Sequence, residues 1–197
     1  MPNNKKITRS CGCAFRTSEN GGEHVIEGYF AVFGDVYEIG NDWSGRTVTE
    51  SIDRHAFDKY LGGDIRVLIN HDSTLVLGRT EAKTATITAD DHGVYVRCTV
   101  NPDDTDAMNV YARLKRGDVS QASFGGWIVD EIREENRETK SVHYTLREIN
   151  VFEFSVCTFP AYEATEVGAR GRENSDMLRR WKNEMKERIK KWHSDRS

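Results

Sequence analysis

Three separated segments of this 197-residue chain carry the groups of a serine hydrolase: Asn70-His71-Asp72, Ala122-Ser123-Phe124-Gly125-Gly126, and Phe152-Glu153-Phe154-Ser155, which leads into Phe159-Pro160-Ala161. Each lies in or just after a β-type run, so a sheet could bring an imidazole, a hydroxyl and a carboxylate together. In such a set the imidazole takes the hydroxyl proton and the carboxylate orients the imidazole.

Ser123 has small neighbours, Ala122 and Gly125-Gly126, that leave room for a substrate carbonyl to approach. The same residues also describe a β-bulge or turn that happens to hold a serine. Ser120 and Ser155 are rival hydroxyls; Ser120 takes the opposite strand face from Ser123, and Ser155 lacks a flanking glycine. His71 ends a compact apolar run between two polar residues, a place from which an imidazole can serve as base. The alternative is a structural histidine in a turn that Asn70 and Asp72 build with their side chains. His24, His55, His92 and His143 fall in a strand near the N-terminus, a surface helix, a hairpin turn and a strand beside a charged loop, without a serine partner evident in sequence. Glu153 alternates with Phe152 and Phe154 and so faces away from both rings; turned inward, its charge needs a partner, and an imidazolium is one.

The elements that must position these groups are read from periodicity. The first 20 residues are polar and read as a mobile N-terminal arm. A strand follows over Val25 to Phe33, then a loop through Trp43, then a short helix capped by Ser51 or Asp53 and stopped by Gly62-Gly63. The run Ile65 to Ile69 delivers His71. Thr84 to Ala89 and Val94 to Val100 flank Asp90-Asp91-His92-Gly93 as a hairpin with one buried face. Asp103, Asp104 and Asp106 open a helix whose apolar stripe is Ala107, Val110, Tyr111 and Leu114, closed by Lys115, Arg116 and Gly117. Val119 to Ile132 reads as a strand carrying Ser123, Arg133 to Lys140 as a charged loop, and Val142 to Phe159 as the returning strand carrying Glu153. Short strands with two small helices predict an α+β domain built on a closed or nearly closed, mostly antiparallel β-barrel.

Composition divides the chain. Residues 170 to 197 hold 10 basic and 5 acidic side chains, against 18 basic and 27 acidic in the first 169, so the total of −4 joins a body of −9 to an appendage of +5. The predicted organisation is an arm over 1–20, a body over 21–168 and a basic tail over 169–197. In the tail Met177, Leu178, Trp181, Met185, Ile189 and Trp192 line one helix face, which either docks on the body or pairs with a second copy. That spacing fits a helix core better than base stacking, which argues against nucleic acid as a partner. No apolar run approaches the roughly 18 residues of a membrane span. A mean hydropathy of −0.67 agrees with a water-soluble body. Cys98 and Cys157 fall in apolar strand runs, and Cys11-Gly12-Cys13 lacks the further ligands a zinc site requires.

Taken in order, the segments resemble the tailed-phage prohead protease family, capsid maturation enzymes related in fold to herpesvirus assemblins. The likeness runs through Gly28-Tyr29-Phe30-Ala31-Val32-Phe33-Gly34, Ala56-Phe57, Asn70-His71-Asp72 with Leu77-Gly78-Arg79, Asp91-His92-Gly93-Val94, Arg116-Gly117-Asp118-Val119-Ser120, Ala122-Ser123-Phe124-Gly125 and Glu153-Phe154-Ser155-Val156-Cys157-Thr158-Phe159-Pro160-Ala161. The resemblance implies Ser123 as nucleophile, His71 as general base and Glu153 as third member, where assemblins use a second histidine. It implies no metal and no organic cofactor. Its implied partner is the major capsid protein or its scaffolding domain, cut inside the procapsid in the host cytoplasm, with self-cleavage. Gly126 stands where the family often has an aromatic and Phe154 where it often has valine, two departures expected to alter the substrate groove. A catalytically inactive assembly module on the same fold is the competing expectation.

Overall fold

Period-two alternation builds eleven strands around one helix among the residues described by the computed structural model of this chain, 5–12, 15–20 and 23–158. In chain order these are β1 (Lys5–Gly12), β2 (Arg16–Asn20), β3 (Glu23–Val32), β4 (Tyr37–Asn41), β5 (Thr47–Ile52), β6 (Arg66–Ile69), β7 (Asp72–Arg79), β8 (Ala85–Ala89), β9 (Gly93–Val100), α1 (Thr105–Arg116), β10 (Gln121–Asn136) and β11 (Ser141–Cys157). The tail over 169–197 lies outside the described residues.

Two sheets form. One runs β2-β3-β9-β8, antiparallel throughout. The other runs β1-β10-β11-β5-β4, with β6 also on β11 and β7 on β6. The 17-residue β11 is long enough to take two neighbours in tandem: β5 pairs with Ser141 to Leu146 and β6 with Glu153 to Val156, both parallel to it. This corrects the barrel expectation. The described strands are sheet-rich and mostly antiparallel, but the fork on β11 holds two strands end to end and no closed barrel results.

Between the sheets, Phe30 of β3, Phe57, Phe124 of β10 and Phe154 of β11 are fully buried. Phe57 meets Phe124 edge-on at 5.2 Å and Phe30 meets Phe154 edge-on at 6.0 Å, the arrangement that aromatic quadrupoles favour. α1 covers one end of this core with the predicted stripe of Ala107, Val110, Tyr111 and Leu114. The Asp104 side chain caps it by accepting from Asp106 N and Ala107 N, and Gly117 ends it in the left-handed conformation at φ 89°.

The helix expected from Ser51 or Asp53 does not form. Ser51 belongs to β5, and residues 53–63 make successive tight turns. The reason is competition for carbonyls: Ala56 O, which a helix would give to Tyr60 N–H, accepts instead from Ile149 N at 2.7 Å, and Tyr60 N–H donates to Phe57 O. This segment thereby spans the gap on β11 between β5 and β6 and delivers Phe57 to the core.

Where a mobile arm is expected, β1 and β2 are hydrogen-bonded into the two sheets. Polar sequence is recruited here by ladder bonds to β10 and β3 and by two anchors on β1. Ile7 is buried, and the Arg9 guanidinium forms a forked ion pair with the buried Glu50 carboxylate of β5, with Nη2 to Oε2 at 2.9 Å. The charged stretch after Ile132 likewise continues as β10 to Asn136 before turning, because β11 pairs with it along its whole length.

A hydrogen bond to a charged group is worth more than a neutral one, so Arg9→Ala, which takes the guanidinium from the buried Glu50 carboxylate, is expected to lower unfolding free energy by about 1.5–3 kcal/mol, checked by urea denaturation.

Candidate active site

The Phe124–Phe154 pairing decides which residues face away from the core. Phe124 and Phe154 are directly opposite in the β10–β11 ladder and both point inward, so Ser123 and its partner Ser155 take the other face, together with Glu153 and Cys157 of β11. Directly opposite side chains on a ladder lie about 5 Å apart, which sets the spacing of Ser123 from Ser155.

His71 arrives on the same face from β6. Ile69 pairs with Asp72, so Asn70 and His71 form a two-residue hairpin turn with φ of 51° and 61°. Left-handed φ at two consecutive non-glycine residues is a strained arrangement that surrounding bonds must hold. Three of them do so. Asn70 N donates to Val156 O at 2.9 Å, Asn70 Oδ1 accepts from Thr158 N at 2.9 Å, and His71 N donates to Ser155 Oγ at 3.2 Å. The structural reading of Asp72 also holds, since its Oδ1 accepts from Thr74 N at 2.8 Å in an Asx turn just beyond.

The imidazole then reaches Glu153. His71 Nδ1 lies 2.6 Å from Glu153 Oε1, and because a carboxylate only accepts, Nδ1 is the donor. Glu153 is buried, and its other oxygen accepts from Ser155 Oγ at 2.7 Å. With Nδ1–H committed, Nε2 is the ring atom with an available lone pair. Its contact is Cys157 Sγ at 3.6 Å. Burial, reinforced by the charge of Glu153, pushes the Cys157 thiol up to about 12, so it is a neutral S–H beside the ring.

Ser123 is brought to the neighbouring strand of the same face but not into a hydrogen bond with His71. It is fully buried, and its hydroxyl donates to Arg9 O of β1 at 2.7 Å. The site therefore joins His71 to Glu153 directly and holds Ser123 one ladder step from Ser155.

Gly125 makes this packing possible. A Cβ on Gly125 would sit 2.1 Å from Glu153 Oε1, so the carboxylate occupies the space a side chain would need. Beyond Gly125 the β10–β11 register slips: Gly125 faces Glu153 but Gly126 faces Val151, leaving Phe152 as an extra residue. This corrects the strict alternation expected around Glu153. Phe152 and Glu153 line the same groove, of about 320 Å³, with Lys6, Thr8, Arg66, Leu68, His71, Ser73 and Val76. The two departures expected to alter a groove do not line it. A Cβ on Gly126 would meet Ile149 Cγ2 at 2.9 Å, and Phe154 is in the core.

One constellation was not evident in sequence. His143 has hydroxyl partners after all: Thr49 Oγ1 lies 2.8 Å from Nδ1 and Ser51 Oγ 2.9 Å from Nε2, so both ring nitrogens are engaged by β5. This follows from the parallel β11–β5 register, which no local pattern encodes. Ser155 and Cys157, by contrast, share the Glu153 face by i, i+2, i+4 spacing and were legible once the strand was assigned. Among the described residues no group of three or more His, Cys, Asp or Glu side chains is disposed to hold a metal ion. No helix among them is long and apolar enough to cross a membrane.

In comparison with known families, residues 13–180 match Peptidase_S78, described as caudovirus prohead serine protease. No curated protein and no solved structure matches the chain.

Gly125→Ala is expected to displace the Glu153 carboxylate and slow fluorophosphonate labelling of the protein about a hundred-fold, since a displacement of 1 Å in such a site costs that much; intact-mass time courses check it. Native Cys157 is expected to react with iodoacetamide at pH 8 about a thousand-fold more slowly than in urea, read by peptide mass mapping.

Proposed function

This chain belongs to the caudovirus prohead serine protease family, and on that premise we propose that it is the endopeptidase that removes the scaffolding region of a phage major capsid protein, and a segment of itself, during procapsid maturation. Membership makes it a serine protease of phage capsid maturation; the substrate, the self-cleavage and the residue roles are our reading. The observation that supports these roles is the hydrogen bond from His71 Nδ1 to the buried Glu153 carboxylate, which leaves Nε2 to act as base on the face that carries Ser123.

In the proposed reaction the Ser123 hydroxyl rotates from Arg9 O toward His71 Nε2 and gives up its proton there. Its oxygen bonds to the carbonyl carbon of the scissile peptide, and the resulting imidazolium is stabilised by Glu153. As the tetrahedral centre collapses, the C–N bond breaks and Nε2 returns the proton to the leaving amine. Water then attacks the acyl-enzyme with Nε2 again as base, releasing a carboxylic acid and restoring Ser123. The groove beside His71 and Glu153 offers the apolar side chains of Leu68, Val76 and Phe152 to the substrate, with Lys6 and Arg66 also lining it.

One observation favours a second reading, a catalytically inactive assembly module on the same fold. Ser123 is fully buried, with its hydroxyl engaged by β1.

Co-expression with the presumptive capsid protein separates the two. Intact-mass analysis is expected to show loss of a defined segment from the capsid protein with the wild-type chain and no loss with Ser123→Ala, His71→Ala or, to a large extent, Glu153→Gln. Identical masses for wild type and Ser123→Ala would overturn the protease reading in favour of the assembly module.

A further inference from the structure

Ser155 makes two hydrogen bonds that reach the turn bearing His71 and the Glu153 carboxylate at once. It is fully buried on β11, its hydroxyl proton goes to Glu153 Oε2 at 2.7 Å, and its oxygen accepts His71 N–H at 3.2 Å. One hydroxyl thus ties the backbone of the base to the carboxylate that orients the base. Both ends of this tie are costly to leave open. His71 sits at φ 61°, a conformation that needs external restraint, and Glu153 is a buried carboxylate whose Oε2 would lose this donor.

We infer that Ser155 is a positioning residue of the proposed proton relay: it fixes the separation of His71 and Glu153 by holding the turn and the carboxylate with a single hydroxyl. The inference rests on the proposed assignment of His71 and Glu153. It also separates the two serines of this face by function. The Ser155 hydroxyl is used at both its proton and its oxygen, whereas Ser123 donates only to a backbone carbonyl of β1 and can be turned. A hydrogen bond to a charged group is worth more than a neutral one, and its loss converts to a rate loss of about ten- to a hundred-fold.

The test is a double-mutant cycle read by fluorophosphonate labelling, with the labelled residue located by peptide mass mapping. Ser155→Ala is expected to slow labelling of Ser123 about ten- to a hundred-fold. In a Glu153→Gln background the same substitution is expected to cost little more, because the two residues act as a unit. Ser155→Thr and Ser155→Val have nearly the same shape and differ in the hydroxyl. Thr is expected to keep most of the wild-type rate and Val to behave as Ala, which keeps the test decisive should Ser155→Ala fail to fold. An unchanged labelling rate in Ser155→Ala, fully additive losses with Glu153→Gln, or equal rates for Thr and Val would overturn the positioning role while leaving the protease reading intact. Label found on Ser155 would overturn the positioning role and reassign the nucleophile. A wild-type protein that takes no label would overturn the protease reading and this inference together.

Discussion

A carboxylate taken out of water must be compensated where it sits, and the arrangement around Glu153 follows from that requirement. The buried charge is met by two donors, the imidazole Nδ1–H of His71 and the hydroxyl of Ser155, and by a glycine whose missing side chain makes the space. These partners come from β10, from β11 itself and from the turn after β6. Satisfying one acid therefore fixes the relative placement of three segments that are far apart in sequence. It also fixes the tautomer of the imidazole, since the nitrogen facing a carboxylate must carry the proton.

The core and the site are two faces of one ladder. Phe124 and Phe154 face each other on the inner side, and the residues beside them, Ser123, Glu153 and Ser155, are thereby turned to the outer side. A register slip of one residue would exchange the two sets, burying the polar groups in the aromatic core. Interlocking edge-to-face contacts among Phe30, Phe57, Phe124 and Phe154 oppose that slip, so stability of the core and integrity of the site depend on the same pairing.

β1 has a double connection to this arrangement. The guanidinium of Arg9 meets Glu50 on the inner side, while the carbonyl of the same residue accepts the Ser123 hydroxyl. Strand alternation explains how one residue serves both: its side chain points to the core and its backbone lies in the plane of the sheet. The seating of β1 and the orientation of the proposed nucleophile are accordingly parts of one contact.

The residues of the candidate site could be singled out in sequence because their chemistry is local: a serine among small residues, a histidine in a polar turn after an apolar run, and a glutamate on a strand. The hairpin of β8 and β9 and the capped helix α1 were legible for the same reason, since turn residues, caps and an apolar stripe act within a few positions. The fork on β11, the turns after Ser51 and the pairing of β1 were not, because each depended on a distant partner. β11 accepted two strands in tandem, Ile149 N claimed the carbonyl that a helix needed, and β10 and Glu50 claimed β1. Sequence alone thus determined which groups are present and that Glu153, Ser155 and Cys157 share one strand face. Only the tertiary structure decided that His71 meets Glu153, that Ser155 links them and that Ser123 turns to Arg9, because hydrogen bonds between segments 80 or more residues apart leave no periodic trace in the chain.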